Sequence, residues 1–191
     1  MSASLALDLS APLESTRLQL EPLLAGHAAA FFEPLQDDAV YQWISMDKPT
    51  TVETLAAGWK RGESRLSPDG LYSWPCWALR RKSDGRYIGR VDAEVNAALE
   101  AINVGYYLFA PMWGQGFATE AVVAVTQHLI QQGVRRMVAT VTVGNTASAR
   151  VLHKAGFAFA RILVANDTVA GVLVDDEEYV HTGPEGHPLD V

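Results

Sequence analysis

One cysteine, Cys76, stands in 191 residues. A single thiol excludes an intrachain disulfide and any zinc site built from several cysteines, and it points to a reducing compartment. The five histidines, His27, His128, His153, His181 and His187, are scattered without ligand spacing, so no metal site is expected. Basic residues are also in deficit: 15 Lys and Arg against 22 Asp and Glu give a formal net charge of -7. Such a chain has no cationic excess with which to neutralise phosphates or meet anionic lipid, which argues against nucleic acid and membrane as partners. No run approaches the roughly 20 apolar residues that span a bilayer. The first 14 residues also lack the basic start of a secretory leader. A cytoplasmic protein is the expectation.

What is present is enough apolar material, 49% of the residues, for one sizeable core. We expect a single domain over residues 14–182, with 1–13 and 183–191 as flexible ends. Alternation of Leu18 and Leu20 with polar neighbours predicts a strand at 16–20. Helices are expected at 25–36, closed by Pro34, and at 51–64, capped by Thr50 or Thr51. Residues 41–48 between them read as a loop. The period then switches to two: strands are expected at 71–80, 87–95 and 101–109, joined closely enough for an antiparallel meander. Along 87–95, Tyr87, Gly89, Val91, Ala93 and Val95 are predicted to share one face. Ile88, Arg90, Asp92 and Glu94 would share the other, read as a solvated row.

From Trp113 onward strand and helix alternate: a helix at 119–132 stopped by Gly133, a buried strand at 137–143, a helix at 146–155 capped by Asn145, and strands at 157–164 and 175–181. The class is α/β (α+β), with a mixed, mostly antiparallel sheet flanked by helices. The segment Trp113-Gly114-Gln115-Gly116-Phe117-Ala118-Thr119-Glu120-Ala121 leads from a strand straight into a helix. Its glycines remove Cβ atoms where backbone must turn, and its amides face a helix N-terminus. An anion cradle for a diphosphate and a tight turn without ligand both fit this pattern. The Lys-Ser/Thr pair of a Walker A loop is absent, as is the third glycine of a dinucleotide fingerprint.

Together with a second run, Asn145 through Phe157, these residues resemble the GNAT superfamily of acyl-CoA-dependent N-acyltransferases. Within it they are similar to the branch containing ribosomal-protein N-terminal acetyltransferases. Trp113–Ala121 matches that branch's Trp-Gly-x-Gly-x-Ala-Thr-Glu-Ala form. The second run matches Asn-x-x-Ser-x-x-x-Leu-x-Lys-x-Gly-Phe, and Thr16–Leu18 matches an early strand motif. The resemblance implies that strand 104–109 splays from strand 137–143. Pantetheine would then pair with backbone near Leu108 and Phe109. It implies that Trp113, Gly114, Gln115, Gly116, Phe117, Ala118 and Thr119 hold the diphosphate of acetyl-CoA, with Asn145 on the cofactor arm. Ser148 would supply a proton to the leaving thiolate, because Leu152 occupies the position where many relatives carry a tyrosine; a hydroxyl bonded to its own helix is the alternative. Tyr41 and Trp43 would contact the acceptor.

The match departs at Asn103. Relatives place glutamate there, two residues before the strand glycine, and asparagine accepts no proton at neutral pH. Asn103 is therefore assigned to positioning the acceptor, with Asp92, Glu94 or a water chain left as the base. The function implied is an acetyl-CoA-dependent N-acetyltransferase. Its acceptor would be a primary amine, either a protein N-terminus or a small molecule, attacking directly in a ternary complex. A CoA-binding sensor or scaffold that has lost catalysis, and transfer of a longer acyl group, are the alternatives. A homodimer is left open by the sheet's free edges.

Overall fold

The computed structural model describes residues 9–183. Within them nine strands form one sheet: β1 (Leu13–Glu14), β2 (Leu18–Pro22), β3 (Tyr72–Ser73), β4 (Cys76–Arg81), β5 (Tyr87–Asn96), β6 (Glu100–Leu108), β7 (Arg136–Thr142), β8 (Ala158–Val169) and β9 (Val172–Thr182). Their order is β1-β2-β4-β5-β6-β7-β9-β8, with β3 beside β5. Strands β4, β5 and β6 make the expected antiparallel meander. The one parallel pair, β6 with β7, is joined through α3 (Phe117–Gln131). Helices α1 (Ala28–Phe32) and α2 (Val52–Gly62) cover one face, while α3 and α4 (Thr146–Lys154) cover the other. A helix needs about 18 apolar residues to cross a membrane, and none among the described residues is long and apolar enough.

Apolar alternation along β5 explains the two-sided burial. Val91, Ala93 and Val95 enter a core with Val122, Val125 and Leu129 of α3. The opposite face meets a second cluster built on Phe31, Leu35, Tyr107 and Phe109. The sheet thus packs a core on each face around β5, two strands from where β7 separates from β6.

Several expectations need correction. The helix expected at 25–36 is broken into a 3-10 turn (Ala25–His27), α1 and a second 3-10 turn (Pro34–Gln36), because Pro34 offers no N–H to continue α1. The strand expected at 71–80 divides into β3 and β4 at Trp74-Pro75; the Pro75 carbonyl instead accepts from the Ala93 N–H at 2.9 Å. The faces of β5 exchange at Gly89, where the register with β4 shifts between Leu79 and Arg80. Ile88 therefore joins the α3-side core and Tyr87 the α1 side. Helix α3 begins at Phe117, two residues before the expected start. The hairpin of β8 and β9 is longer than expected, and its polar link is itself strand, turning at Ala170 and Gly171, both with positive φ. Of the first 13 residues, Leu9 is buried in the core, the Ala11 carbonyl accepts from Trp77 Nε1 at 2.8 Å, and Leu13 pairs with Leu20. Residues 1–8 and 184–191, expected as flexible ends, lie outside the described residues.

Candidate active site

Strands β6 and β7 pair only at Glu100–Arg136 and Ala101–Met137. Beyond that point β6 runs on to Leu108 without a partner on its β7 side, and a cleft of about 430 Å³ opens in the gap. The Phe109 N–H donates to the Ile88 carbonyl at 2.9 Å. Peptide groups alternate along a strand, so Leu108 and Tyr106 turn theirs toward the gap. The Leu108 carbonyl is taken by Trp113 Nε1 at 2.8 Å, leaving its N–H as the donor on this edge.

At the mouth of the gap the chain passes Gly114 (φ 73°) and Gly116 (φ 80°) into α3. Gly116 caps the helix in the left-handed conformation with no side-chain cap. A Cβ on Gly114 would meet nothing within 4 Å, so the loop is open on that side. The first N–H groups of a helix have no partner inside it, and here those of Phe117, Ala118 and Thr119 border the cleft. Such an arrangement can hold an anion, through the positive end of the helix and its free N–H groups.

The cradle is braced from outside. Glu120, in the first turn of α3, accepts from the Arg17 N–H and Nε (both 2.6 Å) and from the Ser15 hydroxyl (2.7 Å). Arg17 also donates to the Gln115 carbonyl at 3.0 Å and stacks its guanidinium 4.2 Å above the Phe117 ring. Burial pushes the Glu120 carboxyl upward, but these donors outweigh it and hold the pKa below the ordinary 4.5.

Across the gap, Asn145 caps α4 by accepting from the Ser148 N–H at 3.1 Å. That places Ser148 in the first turn, facing β6. Its Oγ lies 2.7 Å from Tyr106 Oη, which is also 3.2 Å from the Ser148 carbonyl. Burial pushes the Tyr106 phenol up to about 12, although its bond with Ser148 pulls the other way. At neutral pH Tyr106 therefore keeps its proton and can donate to Ser148, freeing the serine O–H to point elsewhere.

The other face of β6 holds a second, larger cavity of about 1000 Å³ beneath α2. Asn103 lies there, directly opposite Glu94 on β5. A Cβ placed on Gly105 would sit 3.1 Å from Asp92 Oδ2 and 3.8 Å from Asn103 Nδ2. The two side chains thus converge over the bare backbone of Gly105. Arg90 Nε is 3.1 Å from Asp92 Oδ1. The row Arg90, Asp92 and Glu94 is half-buried wall of this cavity, not the solvated face expected from its alternation. Burial raises the Cys76 thiol to about 12, so it holds no thiolate.

All the site residues assigned from the sequence border the first cleft except four. Phe109 is buried against Phe31 and Tyr107, its N–H already engaged. Gln115 folds back, donating from Nε2 to the Pro111 carbonyl at 2.9 Å. Tyr41 packs in the α1-side cluster and donates to the Leu35 carbonyl at 2.8 Å. Asn103 belongs to the second cavity. Trp43 does line the first, stacked within 3.7 Å of a Cβ position on Gly144. Tyr106 and the Arg17–Glu120 brace escaped the sequence reading. Tyr106 carried the signal of a strand tyrosine alternating toward the gap, whereas the brace joins residues 103 apart and leaves no local trace. Among the described residues no group of three or more His, Cys, Asp or Glu is arranged to hold a metal.

The fold built around this half-paired strand couple is found in known structures. A ribosomal L7/L12 α-N-protein acetyltransferase, RimL, in complex with coenzyme A superposes with a TM-score of 0.79 at 20% identity, covering 90% of this chain and 98% of that one. RimJ of Mycobacterium smegmatis in complex with CoA-disulfide gives 0.75 at 23% identity, over 91% and 86%. The acetyltransferase (GNAT) domain model matches residues 17–158, and the chain belongs to that family. A probable N-acetyltransferase of Bacillus subtilis, YjcK, is 30% identical over 177 residues, 91% of this chain and 93% of its own length.

Proposed function

We propose that the protein transfers an acetyl group from acetyl-CoA to a primary amine, the amine attacking directly while both substrates are bound. The observation that carries this reading is the gap between β6 and β7. It joins an amide cradle at one end to a serine–tyrosine pair in its wall. Neighbours solved with coenzyme A or acetyl-CoA support the choice of donor. Acetyl-CoA, when bound, supplies the acyl group as a thioester and a thiolate that must be protonated on leaving.

The chain's own residues meet each requirement. Amides of Gly114 and of residues 116–119 hold the diphosphate, and Asn145 Nδ2, left over from capping, is available to the cofactor arm. The Leu108 N–H faces the gap as a donor to charge developing on the acyl oxygen. Ser148 gives its proton to the sulfur and takes one back from the attacking nitrogen, which sheds it on becoming an amide, while Tyr106 holds the serine oxygen. The acceptor ammonium loses its proton to Asp92, which takes the task that Asn103 cannot perform; Asn103 orients the amine. A carboxylate beside Asn103 weakens the case for a sensor without catalysis. Neighbours named as ribosomal-protein acetyltransferases favour a peptide N-terminus among the acceptors.

A thiol-release assay with acetyl-CoA across peptides and small amines tests this directly. Acceptor-dependent release is expected; tight CoA binding by calorimetry with no release from any acceptor would refute catalysis, and no CoA binding at all would refute the reading entirely.

A further inference from the structure

The cavity beneath α2 holds an arginine with almost nothing to bind. A guanidinium carries five N–H donors in a planar fork. Among the described residues, Arg90 has one ionic partner, Asp92, at 3.1 Å, and that contact leaves Nε buried without a hydrogen bond. Burial works against the Arg90 charge, the neighbouring Asp92 carboxylate favours it, and the group stays cationic. Its plane is supported from the neighbouring strand by the Tyr107 ring, 5.4 Å from Cζ. The guanidinium is therefore fixed in place with its outer fork open to the cavity, the arrangement that captures a carboxylate in two parallel hydrogen bonds.

The charges around the cavity also balance. Arg61, Arg65 and Arg90 face Asp69, Asp92 and Glu94. Arg65 is already spent on the Leu23 carbonyl at 2.6 Å. A dianion such as a phosphate ester would meet the two carboxylates of β5, and a simple cation would meet the arginines. A molecule carrying one positive and one negative group fits both. The spacing follows from the strand: Arg90 pairs with Tyr107 and Asp92 with Gly105, so their Cα atoms stand two residues apart, roughly 7 Å, while their charged groups meet at 3.1 Å.

Resting on the acetyltransferase reading, we propose that the acceptor is zwitterionic. Its amine lies over Gly105 between Asp92 and Asn103, and a carboxylate a few ångströms away is clasped by Arg90. Two sources supply that chemistry: a free amino acid, through its own carboxylate, and a peptide whose N-terminal residue is acidic.

The test uses matched acceptors with the full chain and acetyl-CoA: L-amino acids, each beside its C-terminal amide, and peptides beginning with Asp beside the same peptides beginning with Asn. Wild type is expected to favour the carboxylate-bearing member of one arm by ten-fold or more in kcat/KM, mainly through KM, and the arm that responds names the source. Arg90→Gln should abolish the preference, read as the ratio of kcat/KM within each matched pair, and Arg90→Lys should restore part of it. Calorimetry of the CoA-bound protein with the same pairs gives a readout independent of turnover and of the variants folding. Equal or better binding of the amide and Asn-initiated members overturns the inference while the acetyltransferase reading stands. CoA-SH release from no acceptor overturns that reading instead, and saturable binding of the carboxylate-bearing members would still separate the two.

Discussion

In the proposed mechanism Ser148 carries the proton to the sulfur, and its neighbours hold it in place. Its amide is tied to Asn145 and its hydroxyl to Tyr106, so the oxygen is held from two sides. Replacing Ser148 by alanine should lower kcat by about ten-fold or more with CoA affinity unchanged. Tyr106→Phe should cost several-fold in kcat only, since the phenol, which keeps its proton at a pKa of about 12, orients the serine oxygen. Thiol release measures the first effect and calorimetry with CoA the second. A Ser148→Ala enzyme of undiminished kcat would take the proton donor away from this position.

Individual elements owe their geometry to distant partners. Helix α3 presents its free amides to the cleft because Glu120 is pinned to Arg17 and Ser15 on the strand beneath. Removing that charge with Glu120→Gln should weaken CoA binding roughly five-fold, about 1 kcal/mol for a partly exposed pair. The pKa of Glu120 is lowered in the folded chain, so the stabilisation is present above its ordinary 4.5 and is lost as pH falls through the lower folded value. CoA affinity measured against pH should therefore drop below about 4.5 in wild type, and this step should be missing in the glutamine variant. Strands β5 and β6 offer a separate test. A Cβ on Gly89 would lie 2.1 Å from the Tyr107 carbonyl oxygen, which the antiparallel pairing cannot relieve without moving backbone. Gly89→Ala should cost about 3 kcal/mol or more in thermal or urea unfolding.

Across the full sheet, two blocks of strands meet only at the first residues of β6 and β7. One block is β1 to β6 and the other β7 to β9, with α3 and α4 bridging the opening from one side. A ligand in the gap contacts both blocks and substitutes for the missing strand pairing. CoA at a hundred times its Kd should stabilise the fold by about 2.7 kcal/mol, raising the melting temperature by roughly 5–10 °C for a chain of this size. The Ser148→Ala protein should show the same shift, because that hydroxyl acts in turnover rather than binding.

Local order left clear marks in the chain. Alternation of Val91, Ala93 and Val95, the Asn145 cap, and glycines at 114 and 116 each report physics confined to a few neighbouring residues: side-chain period, a short hydrogen bond, a backbone turn that tolerates no Cβ. From those marks came the meander, the helix N-termini and the glycine loop, while the rest of the cleft lining followed from the family resemblance. Other features arise only when strands far apart in the chain are laid side by side. The exchange of faces at Gly89 needed the register of β4. The half-buried standing of Arg90 and Asp92 needed α2 above them, and the Glu120 brace needed Arg17 from the other end of the domain. Patterning sets which side of a strand is apolar, because burial follows side-chain period; packing sets which polar side chains converge, because contact depends on register and closure that no stretch of neighbours encodes.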